Sequence, residues 1–120
     1  MQHPIHAHVE AAYNAYDLEE WTRLYEKGGV LVAPNGENLS GHTAIRSALA
    51  GFLSLRGTVI METVYAIEVD HLVLLRGKFT LRYTDENNEP KELSGNTSEV
   101  ARCGADGKWK FVIDHPSGAD

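Results

Sequence analysis

Trp109-Lys110-Phe111-Val112-Ile113-Asp114-His115-Pro116 is the stretch whose reading decides the fold. Trp109, Phe111 and Ile113 recur at every second residue, the period of a strand with one face in a core. Asp106-Gly107 supplies a turn ahead of it, and Pro116 ends it because proline has no N–H for a ladder. Continued without a break, the alternation puts His115 on the core face and Asp114 on the opposite one. The strand is therefore expected to deliver titratable groups to one end of a cavity.

Working back from that strand, three more are expected. Lys91 to Cys103 is one. His71 to Thr84 is another, with Val73, Leu75, Phe79, Leu81 and Tyr83 on one face and Arg76, Lys78, Thr80 and Arg82 on the other. Thr58 to Glu68, rich in β-branched and aromatic residues, is the third. Asp70-His71 and the polar run Asp85 to Pro90 turn the chain between them. Before Arg56-Gly57 the period is helical. Residues 4 to 16 place Val9, Ala12, Tyr13 and Tyr16 on one face. Asp17-Leu18-Glu19-Glu20 has the form of a capping box, opening a short helix with Trp21, Leu24 and Tyr25 as its stripe and Gly28-Gly29 as its stop. Val30 to Ala33 reads as a short strand, Pro34-Asn35-Gly36 as a turn, and His42 to Leu53 as a third helix with Ile45, Leu49, Phe52 and Leu53 inward. Helices first and a long antiparallel meander after them define an α+β fold with helices over one sheet face.

The chain has 120 residues, the length of one domain, taken as 1–120. Lys plus Arg number 11 against 17 Asp plus Glu, a net charge of −6, and no basic stripe is present. This argues against nucleic acid and anionic membrane as partners. No apolar run spans a bilayer, and residues 1 to 16 lack the basic start and apolar stretch of a signal peptide. Cys103 is alone, so it forms neither an internal disulfide nor a cysteine-rich metal site, and a reducing cytoplasm is the expected setting. The strands from Thr58 to Arg102 carry apolar residues on both faces while the helices cover one. A homodimer through the uncovered face is therefore expected.

In the order of its elements the chain resembles the nuclear transport factor 2-like superfamily, in its SnoaL-like, ketosteroid-isomerase-related branch. The resemblance runs over nearly the whole chain. It is carried by Asp17 with Trp21 and Leu24-Tyr25, by the Pro34 to Gly41 turn into the third helix, and by Asp106-Gly107-Lys108-Trp109 before the terminal Asp-His. It implies a cone-shaped half-barrel, with three N-terminal helices packed on a strongly curved, mainly antiparallel sheet, and again a homodimer. Members include isomerases, cyclases, dehydratases, epoxide hydrolases and non-catalytic binding or association modules. One departure matters. Aligned through Pro34 and Gly41, the position of the ketosteroid isomerases' general base is Ala33 here. Aligned through Asp17, the tyrosine of their oxyanion hole falls near Val9, with Tyr13 one turn later. Steroid isomerisation by that mechanism is therefore not expected.

Candidate chemistry comes from the strands. His115 can act as acid or base near neutrality, or it can simply close the barrel end as a hydrogen-bonded ring. Asp114 is its sequence neighbour, but neighbours on a strand point to opposite faces, so a direct pair needs a twist or bulge. Glu99 shares parity with Leu93, Thr97 and Ala101, and faces inward if they do. Glu62 lies in an apolar strand and can equally be a ladder salt bridge to Arg76, Arg82 or Arg102. A buried carboxylate without a partner has a raised pKa, which suits acid–base work. Tyr13, Tyr16, Trp21, Tyr65 and Trp109 are core aromatics or the flat walls of a site for a planar organic ligand. Asp17 is accounted for by capping. His3, His6 and His8 raise the question of metal; His3 and His6 can share a helix face, but no carboxylate or cysteine completes a set at standard spacing. The expectation is a cofactor-free, metal-free pocket for a small hydrophobic organic molecule. His115, Glu99 and Asp114 are its candidate acid and base. The chain is then an isomerase, cyclase or lyase, a non-catalytic binding module, or an association domain.

Overall fold

Pro4 at the first helical position has the backbone angle a helix needs and no N–H to leave unpaired. The computed structural model describes residues 1–120 and begins its first helix, α1, there (Pro4–Asn14). His3 caps it, its Nδ1 accepting the Ile5 N–H at 3.2 Å. The buried stripe of α1 is Ile5, His6, Val9, Ala12 and Tyr13. Asp17 caps α2 (Leu18–Arg23), its side chain accepting the Glu20 N–H at 3.0 Å. Tyr16 closes the α1–α2 corner with φ of 54°.

The short helix does not continue to Gly28. Tyr25 instead opens β1 (Tyr25–Val32), lying opposite Phe111, and the Phe111 N–H donates to the Leu24 carbonyl at 2.7 Å. A long-range ladder thus overrides a helical stripe. Gly29 is not a helix stop: a Cβ there would stand 2.9 Å from the Phe111 carbonyl oxygen. Its role is to let two backbones approach across an irregular pairing. A short edge strand, β2 (Asn38–Ser40), follows the turn and pairs with β1; the sequence reading has only a turn and loop there. Then come α3 (His42–Leu53), β3 (Thr58–Val69), β4 (Leu72–Thr84), β5 (Pro90–Cys103) and β6 (Trp109–His115).

The six strands form one open sheet in the order β2-β1-β6-β5-β4-β3. All neighbours are antiparallel except β1 and β6. Bulges bend strands, and β1, β3 and β6 each carry an irregularity that adds curvature. The three helices pack on the concave face around a core that includes Tyr13, Tyr25, Ile45, Leu49, Leu75 and Phe111. The convex face is left open, with Ile60, Val64, Ile67, Val69, Leu72 and Leu74 exposed. No helix is long and apolar enough to cross a membrane.

The β6 bulge corrects the alternation read from the sequence. Ala101 faces Phe111 and Val100 faces Ile113, so Val112 has no partner on β5. One extra residue reverses every side chain beyond it. Phe111 is 1% exposed, Ile113 is 43% exposed, and Asp114 is the residue that turns inward. His115 pairs with Ser98 on the partly exposed side of the strand, packed over Gly118.

Candidate functional site

Five elements, α1, β1, β3, β5 and β6, bring polar side chains to one place inside the apolar core. On β5, Thr97 and Glu99 are two residues apart and share the concave face; both are buried. Thr97 Oγ1 donates to Glu99 Oε1 at 2.7 Å. From α1, His6 Nε2 reaches the same oxygen at 2.7 Å, and its Nδ1 lies 2.7 Å from Thr63 Oγ1 on β3. The Thr63 oxygen also accepts the His3 N–H at 2.8 Å. Its hydroxyl proton is thus free for Nδ1, and Nε2 is then the ring nitrogen that donates to Glu99. Gly77 on β4 makes room for this ring, since a Cβ there would stand 2.7 Å from His6 Cε1.

Across the β5–β6 pair, Asp114 stands opposite Glu99, and both carboxyl groups are buried. Tyr25 OH donates to Asp114 Oδ2. Burial first, and the adjacent Glu99 charge second, hold the Asp114 carboxyl well above the usual carboxylate range. Burial, then Asp114, likewise push the Tyr25 phenol well up. Two carboxyl groups in contact away from water cannot both ionise cheaply. This favours the protonated form of the Asp114 carboxyl.

The pair forms the polar patch of an otherwise apolar cavity of about 80 Å³ between helices and sheet. Val9, Tyr13, Trp21, Phe52 and Met61 line much of the rest. Tyr13 presents its ring, because its hydroxyl already donates to the Phe52 carbonyl at 2.8 Å. Trp21 packs edge-on to Tyr13, 5.5 Å between ring centroids, and its buried Nε1–H has no hydrogen-bond partner. An unsatisfied buried donor costs about 1–3 kcal/mol.

Of the eight residues the sequence singles out, the structure brings four to this cavity: Glu99, Asp114, Tyr13 and Trp21. The other four lie elsewhere. His115 follows Asp114 beyond the same bulge and points to the opposite, partly exposed face of β6. Tyr16 is 39% exposed, and its hydroxyl donates to the Arg56 and Gly57 carbonyls. Tyr65 is on the convex face under Arg76. Trp109 packs edge-on against His3, outside the cavity. Glu62 is exposed on the convex side, opposite Lys78. Val9 enters the cavity wall as an apolar residue, and Ala33 lies away from it. Sequence reasoning missed His6, Tyr25, Thr63 and Thr97. A signal existed for His6, which shares the inward face of α1 with Val9 and Tyr13. A lone glycine within β4, Gly77, marked the place where something approaches the backbone.

With this geometry in view, comparison with known proteins defines the class. The SnoaL-like domain model matches residues 5–112, and the chain belongs to that family. Its fold is shared by a ketosteroid isomerase-like protein from Erwinia carotovora atroseptica, 15% identical, with a TM-score of 0.73 over 95% of each chain. Aln2 from a Streptomyces species is 14% identical, with a TM-score of 0.74 over 91% of this chain and 81% of that one. A protein from Xanthomonas campestris, provisionally described as a calcium/calmodulin dependent protein kinase II association domain, is 22% identical. Its TM-score is 0.74 over 88% of this chain and 76% of its own. No curated protein matches the chain.

Proposed function

We propose that this SnoaL-like protein moves a proton within a small hydrophobic organic substrate, without a cofactor, as an isomerase, cyclase or lyase. The observation that supports this is the Glu99–Asp114 carboxyl pair in the wall of an apolar cavity. Glu99 serves as the base. Thr97 and His6 hold one of its oxygens, so its orientation is set before substrate arrives. Asp114, kept protonated and oriented by Tyr25, serves as the acid. His6 acts through Glu99 as a positioning residue, and Tyr13 and Trp21 form the walls against which a flat apolar substrate lies. The protein works as a homodimer through the convex face, in a reducing cytoplasm.

A second reading is supported by the same hydrogen bonds. Both carboxyl groups already have partners, so the cavity can hold a hydrophobic metabolite without changing it. In a third reading the exposed apolar sheet makes this an association domain. The test is deuterium uptake from D₂O by a panel of hydrophobic C–H acids, followed by NMR. Proton transfer predicts uptake by the native protein and a loss of about 10²–10⁴-fold in Glu99→Gln. Ligands that raise the melting temperature but take up no deuterium would establish the binding module instead.

A further inference from the structure

The inner cavity has a neighbour. Phe52, Phe79 and Pro116 line it and also line a second hollow of about 190 Å³. The far walls of that hollow are apolar: Leu31, Val32, Ala33, Ala48 and Leu93. The partition between the two is thin because β5 has glycine at position 95. A Cβ there would stand 2.6 Å from Phe79 Cε1 and 2.7 Å from the Pro116 carbonyl oxygen. Glycine lets the ring and the C-terminal chain close onto the strand. Each hollow by itself falls short of the roughly 300 Å³ at which pockets begin to take drug-sized ligands.

The two chambers differ in chemistry. The only ionisable side chains lining the inner one are Glu99, Asp114 and Tyr13, and none lines the outer one. No lysine or arginine faces either, so an anionic head would meet the carboxyl pair without a counter-charge. The inner wall also contains Trp21, with its orphaned indole N–H, a donor suited to a neutral oxygen. We infer that the ligand is an uncharged carbonyl compound whose compact head occupies the inner cavity and whose apolar tail passes Phe52, Phe79 and Pro116 into the outer hollow. This rests on the inner cavity being the site of proton transfer, and it adds the substrate's shape and charge.

The probes are the straight-chain methyl ketones from pentanone to undecanone, titrated into the full chain by calorimetry. Deuterium uptake is read on the same samples. Affinity is expected to rise about fourfold per methylene until the outer hollow is full, and then to level. Carboxylates of equal length are expected to bind about tenfold more weakly or worse. Ketones should move the Trp21 indole N–H resonance, assigned with Trp109→Phe, while alkanes of the same length should not. Ala48→Phe and Leu93→Trp fill the outer hollow from the helix side and the sheet side. In each, the ratio of long-chain to short-chain affinity should fall to about one, a ratio that survives a modest loss of stability. Affinity independent of chain length, a slope untouched by both substitutions, or a preference for carboxylates would overturn the inference. Uptake without a chain-length gain removes the tail and spares the proton transfer. A chain-length gain without uptake at any length supports the tail and removes the proton transfer.

Discussion

The concave and convex faces of the sheet are built from the same alternating strands, but they deal with polar groups differently. On the concave face the polar side chains are few, buried and hydrogen-bonded in two groups, Thr63–His6–Glu99–Thr97 and Tyr25–Asp114, that meet where Glu99 faces Asp114. On the convex side charged residues such as Glu62, Arg76 and Lys78 share the face with apolar ones and are open to water. Arg82–Glu92 and Arg102–Glu26 are pairs between half-exposed side chains, the kind worth about 0–1 kcal/mol. Apolar residues of edge strand β3 and the start of β4, among them Ile60, Ile67 and Leu74, lie uncovered beside them. A buried polar group must be satisfied by design, whereas a surface one can be left to water. The same alternation therefore yields a specified site on one side and a sticky, unspecified surface on the other.

The sharpest way to break this comparison lies within β6. Phe111 and Ile113 are two residues apart and would be equivalent on an unbroken strand. With the bulge at Val112, Phe111→Ala is expected to cost about 3–5 kcal/mol. Ile113→Ala should cost less than about 1 kcal/mol. Urea melts of the two variants check it, and equal losses would remove the bulge. The next effect is at Gly77, where alanine pushes on His6 and on the Glu62 carbonyl oxygen 2.9 Å away. It should destabilise by about 1–3 kcal/mol. Gly51, in the last turn of α3 with open space where a Cβ would sit, makes the opposite change: alanine there should stabilise by up to about 0.5–1 kcal/mol.

Asp114→Asn tests the protonation of Asp114 through pH. Asparagine keeps the shape of the protonated acid, accepts from Tyr25 and donates to Glu99. A carboxyl whose folded pKa is raised gives its full stability below its unfolded pKa, about 3.9, and loses it as pH rises through the folded value. The native protein should lose stability over that window, and the variant should lose less. The variant's advantage should therefore grow with pH in melts taken from about pH 4 upward. A growing disadvantage would mean that Asp114 is held ionised. The smallest effect belongs to the convex face. Ile67→Lys should leave protomer stability within about 0.5 kcal/mol and shift sedimentation from dimer to monomer. A native protein that sediments as a monomer at micromolar concentration would remove the interface.

Most of the fold was legible in the residues: helices α1 and α3 and strand β4 each carry one clear period over ten or more residues, and β3 is marked by its β-branched and aromatic composition. What failed was short or depended on a partner strand. The stripe Trp21, Leu24, Tyr25 fits a helix locally, and only pairing with β6 pulls Tyr25 into a ladder. Three residues of β2 hold no period at all. In β6, valine at 112 suits the inside or the outside of a strand equally well. Nothing local therefore announced the bulge, and the inward place passed from His115 to Asp114. Of the site, Glu99 followed from parity and Trp21 and Tyr13 from helical spacing. His6 was visible on the inward face of α1 but read only as a possible metal ligand, because its partners Thr63 and Glu99 are 57 and 93 residues away.

The central claim of the proposed mechanism is that Asp114 stays protonated where it faces Glu99 inside the cavity. Carboxyl ¹³C chemical shifts of aspartate- and glutamate-labelled protein, followed across pH, report on this group by group. At neutral pH one aspartate should give the shift of a protonated acid, and its signal should vanish in Asp114→Asn. A spectrum in which every aspartate and glutamate carboxyl is ionised at neutral pH would contradict the account.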